Sequence, residues 1–165
     1  MEPNEALGIA AQVAVALAGF AGVVVVFKPD PVPRLSRLDR TRLQLLLHNS
    51  ICPLAYALFG MLLLTAKPTP DSIWRWCSAF ALVFQAPGAF IAWRNARNLT
   101  AEEYRNSNKL LLYSIGTMGT LTLLLQVYNV TTLNLFWPFF LSIVTHLIAG
   151  MLQFVRMVML HPEKE

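Results

Sequence analysis

Two histidines are the side chains of this sequence best suited to chemistry. His48 and His146 each lie within a long apolar stretch, and an ionisable side chain inside a membrane is by default a candidate for binding or for helix packing. Neutral imidazole rings on facing helices can ligate the iron of a b-type haem. We consider haem ligation, a proton relay and hydrogen bonding between helices, and the last is preferred.

The depths of the two histidines argue against a shared haem. His48 lies about five residues from the inner end of its stretch, whereas His146 lies near the middle of its own stretch. With a rise of 1.5 Å per residue the offset is roughly 10 Å, but the two axial ligands of one haem need matched depths. We therefore expect no cofactor, with haem kept as an alternative.

Four amide side chains fall in four different apolar stretches, at Gln12, Gln85, Gln126 and Gln153. An amide in lipid needs partners for both its donor and its acceptor. The four could converge on one interior polar seam, or each could bond a neighbouring backbone group, which is the simpler expectation. The functional alternative is a small solvated cavity at Pro53, Gln85 and Pro87. If the protein binds a small molecule or haem, we predict that its ligand-binding residues are His48, Gln85 and His146.

No specific catalytic or metal signature is present. The sequence contains no His-Glu-x-x-His pair, no Gly-x-Ser-x-Gly elbow and no Walker loop. Cys52 and Cys77 lie in different stretches and support neither a disulfide framework nor a metal site. Within the apolar stretches there is no acidic residue to couple an ion, which argues against an ion-driven transporter. We expect no catalytic residue and no metal, with a small transporter as a further alternative and an enzyme ranked below it.

The elements that position these residues follow from composition. Of 165 residues, 56% are apolar and only 13% are charged, and the mean hydropathy is +0.52, which does not fit a water-facing surface. A helical crossing of a bilayer needs about 20 mostly apolar residues. Because backbone amides in hydrocarbon must be satisfied within their own segment, we predict an all-α single transmembrane domain over residues 1–165, with helices at about 6–27, 43–66, 73–93, 110–130 and 133–160.

The first stretch is expected to be a retained helix. A secretory signal peptide starts with basic residues and has a short apolar centre. Here the start is acidic, with Glu2 and Glu5, and the apolar run continues to Phe27.

Basic residues alternate between the joints of the predicted helices. Lysine and arginine near helix ends stay in the cytoplasm, and two joints are rich in them: Lys28, Arg34, Arg37, Arg40 and Arg42 after the first helix, and Arg94, Arg97, Arg105 and Lys109 after the third. The other two joints are poor in them. The pattern predicts an N-terminus outside and a C-terminus inside. It identifies the lipid bilayer as a partner, and no charge run resembles a nucleic-acid arm.

Small residues recur at helical spacing in two of the predicted helices. Ala14, Ala18 and Gly22 are four apart in the first, and Gly116 and Gly119 lie in the fourth. Small residues let transmembrane helices approach closely. Our leading interpretation is a non-enzymatic membrane protein that associates through these faces with itself, as a homo-oligomer, or with a partner membrane protein. The alternative is a protein that binds a small molecule or haem.

The first third of the chain carries a family resemblance. The run Val-Ala-Leu-Ala-Gly-Phe-Ala-Gly at 15–22, followed by a basic joint and by Asp39-Arg40 and Arg42-Leu43 before a helix with Ser50, resembles a group of small uncharacterised bacterial multi-pass membrane proteins. The resemblance implies a location in the bacterial inner membrane and no particular activity.

The length and the number of crossings are similar to those of the tryptophan-rich sensory, or translocator-protein, family of ligand binders. Residues 28–42 replace the proline- and tryptophan-rich first loop of that family, and no residue role is carried over.

Overall fold

Five α-helices form the part of the chain that the structure, a computed structural model, describes: residues 1–27, 37–68, 70–98 and 109–159. They are α1 (Pro3–Phe27), α2 (Arg37–Thr65), α3 (Ile73–Arg97), α4 (Lys109–Tyr128) and α5 (Phe136–Met159). A π-helical turn, Asn129–Leu133, follows α4 directly. These residues include no strand, so the all-α prediction is confirmed for them. The basic joint residues Lys28, Arg34 and Arg105 lie outside the described residues.

Three of the helices are long and apolar enough to cross a membrane. The apolar spans are Pro3–Val23 in α1, Leu43–Thr65 in α2 and Phe136–Arg156 in α5. This finding supports the prediction of a membrane protein. α2 begins at Arg37, six residues before the apolar stretch that we predicted, because the helix continues into the basic residues that precede that stretch.

The core lies where α1, α2 and α5 pack together. Its fully buried side chains include Leu7 and Ala14 of α1, Tyr56 of α2, and Phe139 and Ile143 of α5. α3 packs against α2 and α5, and α4 packs against α3 and α5. α3 also contributes buried side chains to this core, at Ile73, Cys77 and Ala81.

Close approach between α2 and its neighbours depends on two glycines. A Cβ built at Gly60 would lie 2.9 Å from Leu7 Cδ1 and 3.3 Å from Phe139 Cε1, and one built at Gly150 would lie 3.4 Å from the carbonyl oxygen of Asn49. Small residues at helix crossings bring backbones together, and the resulting van der Waals contact drives helix association in lipid. The pairs Gly60–Phe139 and Asn49–Gly150 also show that α2 and α5 are antiparallel.

The small residues that we predicted as packing faces differ from one another in burial and in the space around their Cβ positions. Ala14 is buried within the chain and Ala18 is half-buried, whereas a Cβ built at Gly22, Gly116 or Gly119 would meet no atom within 4 Å. The Cβ positions of these three glycines are therefore open within the described chain, and the Gly119 carbonyl oxygen accepts a hydrogen bond from Gln85 Nε2 at 3.5 Å. Their role in association with another molecule stays a prediction.

Two asparagines stabilise the connection between α4 and α5 through side-chain hydrogen bonds. The Asn129 amide donates to Ser78 Oγ at 2.7 Å and to the carbonyl oxygen of Leu135 at 3.0 Å, and its Oδ1 accepts from the Leu135 amide at 2.9 Å. Asn134 is left-handed, with φ 50°, and its side chain bonds the backbone of Asp71 and Arg75 at the start of α3. These hydrogen bonds connect the N-terminal end of α3 to this turn.

Replacing Gly60 with valine should destabilise the bundle. The added side chain overlaps Leu7 and Phe139, and overpacking of this kind costs about 1–3 kcal/mol. The measurement is unfolding in mixed micelles with increasing dodecyl sulfate, followed by circular dichroism. Gly116→Val is the matched control, because it makes the same change where no atom lies within 4 Å. Equal stabilities for the two variants would contradict the close approach at Gly60.

Candidate functional site

The helices α2, α3 and α5 bring the three predicted ligand-binding residues into one region. The register of α2 and α5 places His146 opposite residue 53, so His48 is about five residues away, or roughly 7.5 Å along the axes. The two imidazole centroids are nevertheless 6.0 Å apart, with the rings tilted by 43°. The offset in depth that we predicted is therefore present, and the side chains of the two histidines bridge it.

His48 is oriented by a thiol on its own helix and by a glycine on α3. Cys52, one turn along α2, has its Sγ 3.5 Å from His48 Nδ1. A Cβ at Gly88 would lie 2.7 Å from His48 Nε2, so this ring packs where only a glycine leaves space. The imidazole is half-buried, and both of its nitrogens lie close to protein atoms.

His146 is buried and held in one tautomer. Its Nδ1 lies 2.9 Å from the carbonyl oxygen of Ser142, and because a carbonyl only accepts, Nδ1 must carry the hydrogen. In a neutral ring Nε2 is then an acceptor, and it has no hydrogen-bond partner among the described residues. The ring of Tyr56 meets the imidazole edge-on, with centroids 5.5 Å apart.

Gln85 of α3 joins the same network. Its Nε2 donates to Thr122 Oγ1 of α4 at 2.9 Å, and its Oε1 accepts from Ser142 Oγ at 3.4 Å. Ser142 therefore contacts Gln85 through its hydroxyl and His146 through its carbonyl. The result is a continuous set of hydrogen bonds from α4 through α3 to α5, with its side chains buried.

The four intramembrane glutamines do not converge. Gln12 is exposed on α1, and the Gln126 amide donates to the carbonyl oxygen of Pro138 at 2.6 Å. Gln153 is buried, and its Oε1 has no hydrogen-bond partner. The interior seam is therefore absent from the described structure, and only Gln85 lies beside the histidines.

Sequence reasoning missed two members of the site, Cys52 and Tyr56. Both contact a site histidine, and both carried a usable signal: His48, Cys52 and Tyr56 are four residues apart, which puts them on one face of a helix. Ser142 and His146 have the same spacing on α5. No group of three histidine, cysteine or acidic side chains able to hold a metal ion occurs among the described residues.

Comparison of the chain with protein-family models, with curated proteins and with solved structures gives no match. We therefore infer function from the geometry of this site. One atom of the site, the acceptor His146 Nε2, has no hydrogen-bond partner among the described residues. Its surroundings are aromatic and apolar and include Tyr56 and Phe80, whose rings are 6.3 Å apart. Such a site can receive a donor group from an uncharged molecule.

Replacing Gly88 with alanine should displace the His48 ring. The new methyl group would lie 2.7 Å from Nε2, closer than real contacts allow, so the imidazole must rotate away. In protein labelled with ¹⁵N-histidine, the His48 ring resonances should shift. Gly119→Ala, on the neighbouring α4, is the control, since a Cβ there meets nothing within 4 Å. An unmoved His48 signal in Gly88→Ala would contradict the contact.

Proposed function

We propose that the chain is a five-crossing protein of a bacterial inner membrane, with its N-terminus outside and its C-terminus inside. Large apolar side chains are exposed on α3 and α4 as well as on the three apolar helices, as a lipid-facing surface requires, among them Val83, Phe84, Ile91, Leu121 and Leu124. The resemblance of the first third of the chain to bacterial membrane proteins supports the location.

The antiparallel packing supports the proposed orientation. His48 lies against Gly88 and Tyr56 donates to the carbonyl oxygen of Ala81, so α2 and α3 run in opposite directions, as α2 and α5 do. The start of α2 and the ends of α3 and α5 are therefore at one end of the bundle, together with Arg37, Arg97 and Arg156. A basic end is the cytoplasmic end.

Within this bundle, we propose that His48, Gln85 and His146 form a binding site for a small molecule. One observation carries the proposal: the hydrogen-bonded network of α3, α4 and α5 ends at His146 Nε2, an acceptor without a hydrogen-bond partner among the described residues. A ligand that donates one hydrogen bond would supply that partner.

The chemistry of the site favours an uncharged, largely apolar ligand with one N–H or O–H group. The described residues that line the site are two imidazoles, an amide, a thiol, hydroxyls and aromatic rings, without a lysine, arginine or carboxylate. A charged ligand would enter without a counter-ion, which is expensive in a medium of low polarity.

Haem is the less favoured ligand. His146 Nε2 has the free lone pair that an iron needs, but His48 Nδ1 lies against Cys52 and His48 Nε2 lies against Gly88. An iron bound to His48 Nε2 would have to enter between this ring and Gly88, and so would have to separate α2 from α3. A smaller molecule that donates only to His146 Nε2 needs no such movement.

Helix association is a second candidate function. It is favoured by Gly116 and Gly119 of α4, which leave open space at their Cβ positions. Such a surface admits a second helix at close range.

Reporter fusions test the proposed orientation. Periplasmic and cytoplasmic reporters joined after Arg37 and after Arg97 should both report the cytoplasm, whereas a fusion after Lys67 should report the outside. The reason is the alternation of basic joints across the crossings. Reporters that place Arg37 and Arg97 on opposite sides would contradict both the count of five and the orientation.

Two substitutions at His146 test the ligand site. His146→Asn keeps a donor near the Nδ1 position for the Ser142 carbonyl but removes the Nε2 acceptor, whereas His146→Gln keeps a polar group near Nε2. Native mass spectrometry of protein extracted from its own membranes should show a small bound molecule in the wild type, little in His146→Asn and more in His146→Gln. Thr117→Val, on the exposed face of α4, is the control.

Identical spectra for the wild type and His146→Asn would contradict the site. A Soret absorption band in the purified protein, lost in His146→Asn, would instead identify the ligand as haem.

A further inference from the structure

Beyond its first turn, where Asn4 and Glu5 are exposed, the exposed face of α1 carries one polar side chain. Gln12 is the only polar residue between Ala6 and Phe27, and it is exposed. Its amide makes no hydrogen bond within the described chain. Gln85, Gln126 and Gln153 of the other helices are buried, and Gln44 is exposed at the very start of the apolar span of α2. Gln12 is therefore the exposed glutamine in the middle of an apolar span.

Gln12 points directly away from the core. The buried residues of α1 are Ala6, Leu7, Ala10, Ala14, Leu17 and Ala21. At about 100° per residue, which follows from 3.6 residues per turn, Ala14 and Ala21 lie on the side of the helix opposite Gln12. No rotation within the bundle that keeps this core can bury the amide.

The depth of Gln12 prevents its escape to the membrane surface. The apolar span of α1 is Pro3–Val23, and Gln12 is one residue from the middle of that span. Nine residues separate it from Pro3, which is roughly 14 Å at 1.5 Å per residue. A glutamine side chain is too short to reach the headgroups, so the amide must find its partners in hydrocarbon, where each unmade hydrogen bond is costly.

A second copy of the chain supplies those partners. A two-fold axis along the membrane normal brings identical residues of two copies to the same depth. An amide is self-complementary, because each Nε2 can donate to the Oε1 of its counterpart. The neighbours of Gln12 permit the approach, since a Cβ built at Gly8 or at Gly19 meets nothing within 4 Å.

We infer that the chain forms a parallel homodimer through the face of α1 made by Gly8, Gln12, Ala16 and Gly19, with the two Gln12 amides hydrogen-bonded to each other in the middle of the membrane. This face differs from the one we predicted at Ala14, Ala18 and Gly22, because Ala14 is used by the core. The dimer does not depend on the ligand site, which lies between other helices.

Energy transfer between copies in vesicles tests the interface. Full-length protein with donor or acceptor fluorophores at its C-terminus should show transfer that rises with the protein-to-lipid ratio. Gln12→Leu removes two hydrogen bonds and should weaken the dimer about tenfold, whereas Gln12→Asn, which keeps an amide, should lose less. Thr117→Leu is the matched control for a polar-to-apolar change on a lipid-facing surface.

Transfer that is absent at every ratio, or that Gln12→Leu leaves unchanged, would overturn the inference. Because Gln12 is exposed and makes no hydrogen bond within the described residues, Gln12→Leu should keep the helical content and thermal stability of the wild type, which separates loss of the dimer from loss of the fold.

Oxidative cross-linking locates the contact while keeping Gln12. Gly19→Cys should give a disulfide-linked dimer in membranes, because this position lies on the same face as Gln12. Gly116→Cys, equally open but on α4, should not, and the wild type with its buried Cys52 and Cys77 gives the background. Cross-linking through Gly116→Cys in place of Gly19→Cys would overturn the α1 dimer in favour of association through α4.

Discussion

A polar group in hydrocarbon has no water to bond, so the protein must supply its partner. This constraint accounts for the helices themselves, whose backbone groups are satisfied within each segment. It also accounts for the side-chain bonds between them. Ser142 offers its hydroxyl to Gln85 and its carbonyl to His146, and Asn129 satisfies three groups at once where a turn interrupts the regular helix. The few polar atoms left over are therefore informative, and His146 Nε2 and the Gln12 amide are the two from which we infer function.

The second requirement is close packing between the helices. Lipid is as apolar as the side chains that face it, so the hydrophobic effect does not drive the helices together and van der Waals contact must do so. Gly60 and Gly150 let α2 meet α1 and α5 at short range, and Gly88 makes room for the His48 ring. A histidine placed against a glycine has little freedom to turn. Tight packing and the polar network therefore act together, since the glycine contact fixes one imidazole and the Ser142 carbonyl fixes the other.

Much of the fold was predictable from sequence, and part of the site was. Continuous apolar stretches of about 20 residues identify helices, because a helix satisfies its backbone groups within its own segment, so the all-α class follows from the length of these stretches. Gln85 and the two histidines were singled out for the same reason. Their convergence was not predictable: it depends on the register of α2 against α5 and on the direction of each side chain, neither of which helix spacing contains. The sequence does not distinguish Gly60 and Gly88, which pack closely against other helices, from Gly22, which has no neighbour within 4 Å of its Cβ position. Whether a glycine lies at a helix contact depends on the tertiary structure.

The proposed ligand site depends on the contact between two histidines inside a membrane bundle. Solid-state nuclear magnetic resonance of the full-length protein in lipid bilayers, with ¹³C and ¹⁵N in histidine only, measures this contact directly. We expect a through-space cross-peak between the rings of His48 and His146, whose centroids are 6.0 Å apart, and a His146 ring protonated at Nδ1. Rings without a mutual cross-peak, or a His146 ring protonated at Nε2 alone, would contradict the proposed ligand site.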